Sequence, residues 1–371
     1  MLNSSSSIQA IALLPVDREA LAEIQAMLRE RDVFTSGYEY AGIDVYDPAT
    51  YLHDQLLYDT SFCFRYDRNV LSRLVEVVHG RPLSTEHRVA CGIQMLAQIA
   101  EAVVEPNIAL YELGSGCSHA DAKEQLALFR CIDHTHPQHW ADLATGRANA
   151  LDASQLGNWE GQSIKEANYA KTLNIWRASL AVCLKIASLE LSRMGAEAKM
   201  LELIRWMEED LCFLWPGVIL ANRYLAPHAN RSGLFKHLRS QNRGKALQGI
   251  RNQAWDLTLV YAWMNDFHGS NTTDRIVILA SLDRGLHSIA RWILITAEDE
   301  YLIETARQQK LEAEFVLAWG EDRGRRLLEA LLSAESRRIT QPESKRLLTL
   351  EYVRDIERRL EEEVLSPLSS I

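Results

Sequence analysis

Four acidic residues, Asp67, Glu112, Asp256 and Asp283, lie far apart in the chain but share one kind of setting. Each stands beside an apolar run. Asp67 follows "SFCFRY", Glu112 follows "NIALY", Asp283 follows "RIVILASL", and Asp256 sits within "NQAWDLTLVYAW". Carboxylates brought together repel one another and lose hydration, and a shared divalent cation relieves both costs. An all-oxygen donor set suits Mg2+ or Mn2+ rather than zinc. A cation held in this way activates water and stabilises charge on a phosphodiester.

Convergence requires elements that aim the four groups at one place. Ser61 to Tyr66 reads as a buried strand. After Asp67-Arg68-Asn69 the pattern becomes a helix, with Val70, Leu71, Leu74, Val75 and Val78 on one side. "RIVILASLD" is the clearest strand in the chain and ends at Asp283. The short run 107–111 reads as a further strand with Glu112 at its end. "GIRNQAWDLTLVYAWMNDF" reads as a helix with Asp256 near its start. In an open parallel sheet the carboxyl ends of the strands share one edge. Three strand-end carboxylates and one from a neighbouring helix can therefore meet.

These residues resemble PIN-domain nucleases. Asp67-Arg68-Asn69-Val70-Leu71 is similar to that family's Asp-x-Asn-Val-Leu opening. "NIALYELGSG" resembles its second acidic motif, "NQAWDLTLVYAW" its third, and "VILASLDRGL" its Ser/Thr-x-Asp strand end. The motifs occur in family order and cover about 58–116 and 245–297. The resemblance implies a Rossmann-like parallel sheet and a divalent-metal-dependent nuclease. Asp67, Glu112, Asp256 and Asp283 would hold Mg2+ or Mn2+, with Asn69 bonded in support, and the implied substrate is single-stranded RNA. Arg68 stands where the family usually has a small hydroxyl residue. The gap from Glu112 to Asp256 is much longer than the family's, which leaves Asp210 and Asp266 as rivals for the third position.

Charge distribution adds a second signal. The chain has a net charge of −10, yet no Asp or Glu occurs from Leu211 to Trp255. That stretch carries Arg223, Arg231, Lys236, Arg239, Arg243, Lys245 and Arg251. Clustered cations favour phosphate backbones, so Arg239, Arg243, Lys245 and Arg251 are candidate nucleic-acid contacts. The alternative is that they pair with acidic helices elsewhere in the chain. His134, His136 and His139 in "CIDHTHPQHW" read as a polar turn or helix start rather than a metal site. The six cysteines form no CxxC pair and read as buried thiols, which suits a cytoplasmic setting. No run is long enough for a membrane span.

The expected architecture is α/β and predominantly helical. Residues 1–57 form an N-terminal accessory segment, and 58–116 the first half of the PIN-like core. Residues 117–244 form a helical insertion, 245–297 the second half of the core, and 298–371 a helical extension. The extensions could bind a partner protein or a second copy. A catalytically inactive PIN-like scaffold serving protein interaction is the alternative function.

Overall fold

The computed structural model describes residues 15–36, 44–116, 118–159, 167–228, 231, 233–269, 275–293, 303–340 and 348–366. In chain order the elements are α1 (Arg18–Arg31), β1 (Phe34–Ser36), α2 (Pro48–Tyr58), β2 (Ser61–Tyr66), α3 (Arg68–Val78), α4 (Thr85–Ile99), β3 (Val103–Glu105), α5 (Asn107–Gly116), α6 (His119–Asp133) and α7 (Pro137–Thr145). There follow α8 (Asn174–Leu191), α9 (Ala196–Glu209), α10 (Trp215–Leu225), α11 (Arg243–Gly269), β4 (Arg275–Ala280), α12 (Arg284–Ile293), α13 (Ile303–Trp319), α14 (Glu321–Thr340) and α15 (Leu350–Leu365). The chain forms two compact units. One comprises Met1–Thr172 and Trp263–His287, the other Leu173–Ala262 and Ser288–Ile371.

The first unit is built on a four-stranded sheet in the order β1-β4-β2-β3. β2 runs parallel to both β4 and β3, and β1 closes the β4 edge antiparallel. The expected parallel sheet is therefore mixed. Phe62, Phe64 and Tyr66 alternate along β2 into the main core. There they join Ile24 and Leu28 of α1, Leu71 and Leu74 of α3, and Ile93 and Leu96 of α4. Those helices begin where local chemistry says they should. The Asp17 carboxylate accepts the Glu19 amide at 2.8 Å at the start of α1, and Ser84 and His87 form a capping box on α4. The opposite side chains of β2, Cys63 and Arg65, lie outside that cluster, and Arg65 meets Glu105 of β3 and Asp266 of α11.

Four expectations are corrected here. The N-terminal segment is integral rather than accessory, since α1, β1 and α2 supply core and sheet to the first unit. Residues 107–116 form helix α5, not a strand, and the second strand of the core is the short edge β3 before it. Pro106 ends β3, and the residues buried on α5 are Ala109, Leu110 and Leu113, a helical rather than an alternating set. Asp256 lies near the middle of the 27-residue α11, because the helix already starts at Arg243. The stretch expected as one insertion is also divided, with α6 and α7 in the first unit and α8 to α10 in the second.

Among its described residues the second unit contains helices joined by turns and no strand. α8 packs on α15, α9 on α14, and α13 on α14. Among the described residues no helix is long and apolar enough to cross a membrane.

Candidate functional site

The parallel pairing of β2 with β4 brings their carboxyl ends side by side. Tyr66 is opposite Ala280, and the Asp67 amide donates to the Ala280 carbonyl at 3.0 Å. The residue after each strand then belongs to one small hydrogen-bond system. Ser281 donates its hydroxyl proton to Asp67 Oδ2 at 2.6 Å. The same oxygen of Ser281 accepts from Asn69 Nδ2 at 3.1 Å and from the Asp283 amide at 3.0 Å. Asn69 Nδ2 also donates to Asp67 Oδ2 at 2.5 Å, and its Oδ1 accepts the Leu282 amide at 3.1 Å. Each group has one consistent role: the carboxylate accepts, and the serine hydroxyl gives its single proton to it. His287 braces the turn from behind. Its Nε2 donates to the Ser281 carbonyl at 3.0 Å, which leaves Nδ1 to accept from Thr35 Oγ1 at 2.8 Å.

Asp67 is 7% exposed. It occupies the N-cap position of α3, and its carboxylate faces the first-turn amides, but it closes no capping hydrogen bond. Burial pushes its pKa up to about 6. The Ser281 hydroxyl and the Arg68 amide oppose that rise, and the Asp283 carboxylate adds to it. Glu112 projects from α5 and is pushed up to about 7, again first by burial. Arg68 opposes the rise and the Asp67 carboxylate reinforces it. Asp67 thus feels the charge of both Glu112 and Asp283.

The three acids differ in what else they do. Glu112 Oε1 accepts from Arg68 Nη1 at 3.0 Å. Asp283 is exposed, and its Oδ1 accepts the Gly285 and Leu286 amides at 2.7 and 3.3 Å, so it also starts α12. Among the described residues no three carboxylate, imidazole or thiol side chains are gathered closely enough to hold an ion between them. Arg68 on Glu112 and the first-turn amides on Asp283 occupy those carboxylates instead. The donor chemistry nevertheless fits a hard divalent cation: three carboxylates, one buried and one half-buried, both with raised pKa values, and a serine hydroxyl and an asparagine amide to orient the central one. Positive charge placed among them would lower both pKa values.

The fourth candidate is not part of this cluster. α11 runs through the division of the chain at Trp263, so Asp256 belongs to the second unit. There its Oδ2 accepts from Gln253 Nε2 at 3.3 Å. The rivals are engaged elsewhere. Asp266 pairs with Arg65, and Asp210 Oδ1 accepts from the Tyr352 hydroxyl at 3.2 Å.

The basic stretch is largely satisfied inside the second unit. Glu190, almost fully buried, accepts from Arg231 at 2.7 Å, Arg239 at 2.5 Å and Lys199 at 3.2 Å. Arg243 donates to the Val364, Leu238 and Ser240 carbonyls, so it caps α15 rather than facing outward. Arg251 pairs with Glu361 at 3.0 Å. Lys245 is exposed and, among the described residues, has no ion pair. The histidines follow the turn reading. His134 Nδ1 bonds to the Arg130 carbonyl, and His136 Nδ1 accepts the Gln138 amide at the start of α7. Cys63, Cys91, Cys131, Cys183 and Cys212 are free thiols, and Cys117 lies outside the described residues.

Two site residues were not singled out from sequence. Ser281 was legible only as part of the Ser-x-Asp strand end, and Arg68 only as an unusual residue between Asp67 and Asn69. No protein-family model, curated protein or solved structure matches this chain.

Proposed function

We propose that the protein is a PIN-like, divalent-metal-dependent nuclease that hydrolyses phosphodiester bonds, with single-stranded RNA as the substrate. The observation that carries this reading is the Asp67 site itself. A buried carboxylate lies where two parallel strands end together, held by Ser281 and Asn69, within range of two more carboxylates. Asp67, Glu112 and Asp283 would hold Mg2+ or Mn2+. When bound, the cation would supply a Lewis acid for water and for the phosphate oxygens. The chain's own contribution is positional. Ser281 and Asn69 fix the Asp67 carboxylate, His287 fixes the turn that carries Ser281, and Lys245 offers a surface charge to the phosphate backbone.

A second reading, a catalytically silent scaffold, is favoured by one observation: the Arg68–Glu112 ion pair neutralises a would-be ligand. A cleavage assay separates the two. End-labelled single-stranded RNA and DNA are incubated with the full chain in Mn2+ or Mg2+. The nuclease reading expects cutting that stops with chelator and in Asp67→Asn and Asp283→Asn, both still folded by circular dichroism. Intact substrate with the parent chain, or equal cutting by both variants, favours the scaffold.

A further inference from the structure

Arg68 is the first residue of α3, where the helix dipole is positive and disfavours a cation. It remains there beside Glu112, which among the described residues has no other ion-pair partner. The contact is a single bond, Nη1 to Oε1. By contrast, Arg337 grips Glu208 with two nitrogens at 2.6 and 2.8 Å. The Arg68 side chain is 41% exposed while that of Glu112 is 17% exposed. The arginine is therefore the more exposed half of the pair, the one with solvent to swing into.

We propose that Arg68 is the resident counter-cation of the acidic site, displaced from Glu112 when a divalent cation enters and then free to grip a substrate phosphate. The proposal rests on the nuclease reading above. A guanidinium and a dication cannot share one half-buried carboxylate without strong like-charge repulsion, so the two compete for Glu112. Once displaced, Arg68 presents a planar fork of donors suited to the two non-bridging oxygens of a phosphodiester. It sits directly beside Asp67 in the chain, so its reach is centred on the site. Cation and phosphate are then coupled. Each removes the obstacle to the other, and the coupling is reciprocal. Without substrate, Arg68 keeps cation affinity low.

Mn2+ alone, titrated calorimetrically into the full chain, tests this. Neutralising the gate by Arg68→Gln, with Arg68→Ala as a second neutral variant, is expected to tighten Mn2+ binding on the order of tenfold, within the usual range of site-to-site coupling. Arg68→Lys, which keeps the charge, should stay near the parent, and Glu112→Gln should lose binding. Circular dichroism verifies that each variant is folded. If the parent binds Mn2+ and the neutral variants bind it no more tightly, the gate is refuted and the metal site stands. If neither the parent nor any Arg68 variant binds Mn2+, the nuclease reading fails and the gate fails with it.

Discussion

Two sets of charge centre on residues either side of Tyr66, and their chemistry is opposite. Tyr66 points into the core; Arg65 lies on the other face of β2, and Asp67 follows the strand as the N-cap of α3. Around Arg65 the acids have cations beside them, with Arg275 3.9 Å from Glu105 as a second one. It is 5% exposed and pairs with Glu105 at 2.6 Å and with Asp266. Burial works against Glu105, but Arg65 outweighs it and holds the carboxyl below its ordinary range. Around Asp67 burial wins. No cation touches Asp67 among the described residues, hydroxyl and amide groups hold it, and its pKa rises to about 6. In the first set each acid touches Arg65. In the second, Glu112 has Arg68 while Asp67 has only hydroxyl and amide partners, the kind of imbalance that the proposed site would use.

The largest expected effect is on the Arg65 side. Arg65→Met leaves Glu105 partly buried with only the more distant Arg275 beside it, and breaking such a pair costs about 3–5 kcal/mol. Urea denaturation at neutral pH reads this directly, and a loss below about 1 kcal/mol would erase the contrast.

Asp67→Asn should act in the opposite direction. The folded-state pKa of Asp67 lies above its ordinary 3.8, so its ionisation opposes folding. The penalty is absent below about pH 4, grows as pH rises through about 6, and is constant above that. In chelator at pH 8 the asparagine variant should gain up to about 3 kcal/mol over the parent, shrinking to nothing near pH 4. A variant less stable than the parent at pH 8 would mean that Asp67 is a structural acid after all. Combined with the expected loss of cleavage, the gain would be the signature of a residue kept for chemistry at the expense of stability.

Smaller again is Ser281→Ala. It removes the hydroxyl that donates to Asp67, a loss of about 1.5–3 kcal/mol for a hydrogen bond to a charged group. It should also move Asp67 further above its ordinary range. Carboxyl-carbon NMR titration follows that directly, and a downward shift would contradict the hydrogen-bond assignment. The smallest effect belongs to Lys245→Ala, whose side chain is exposed. Stability should change by less than about 0.5 kcal/mol. The slope of log affinity for single-stranded RNA against log salt should flatten by ~0.7. An unchanged slope removes Lys245 from the interface.

The sequence made some of this legible. β2 and β4 are runs of aromatic and β-branched residues between polar breaks, and they read as strands because they are buried in a sheet. Leu21, Ile24 and Leu28 gave α1 by spacing. Asp67, Asn69 and Asp283 were visible because strand ends carry a positional meaning. Other parts depend on tertiary contacts that spacing does not encode. Ten residues with two glycines, 107–116, suit a strand or a helix by composition. α5 is decided by Pro106 and by the burial of Ala109, Leu110 and Leu113 against the core. β1 has three residues and becomes a strand only by pairing with β4. Arg65 was odd for a central strand until Glu105 and Asp266 met it. The basic stretch looked like a binding surface because its acidic partners, Glu190 and Glu361, lie tens to more than a hundred residues away in the chain.

The measurement closest to the central claim is an anomalous difference map from crystals of the full chain grown with Mn2+. The account predicts a peak among the carboxylates of Asp67, Glu112 and Asp283, with Arg68 turned away from Glu112 and no peak at Glu105 and Asp266. Crystals at saturating Mn2+ with no peak beside Asp67 and the Arg68–Glu112 pair intact would contradict it.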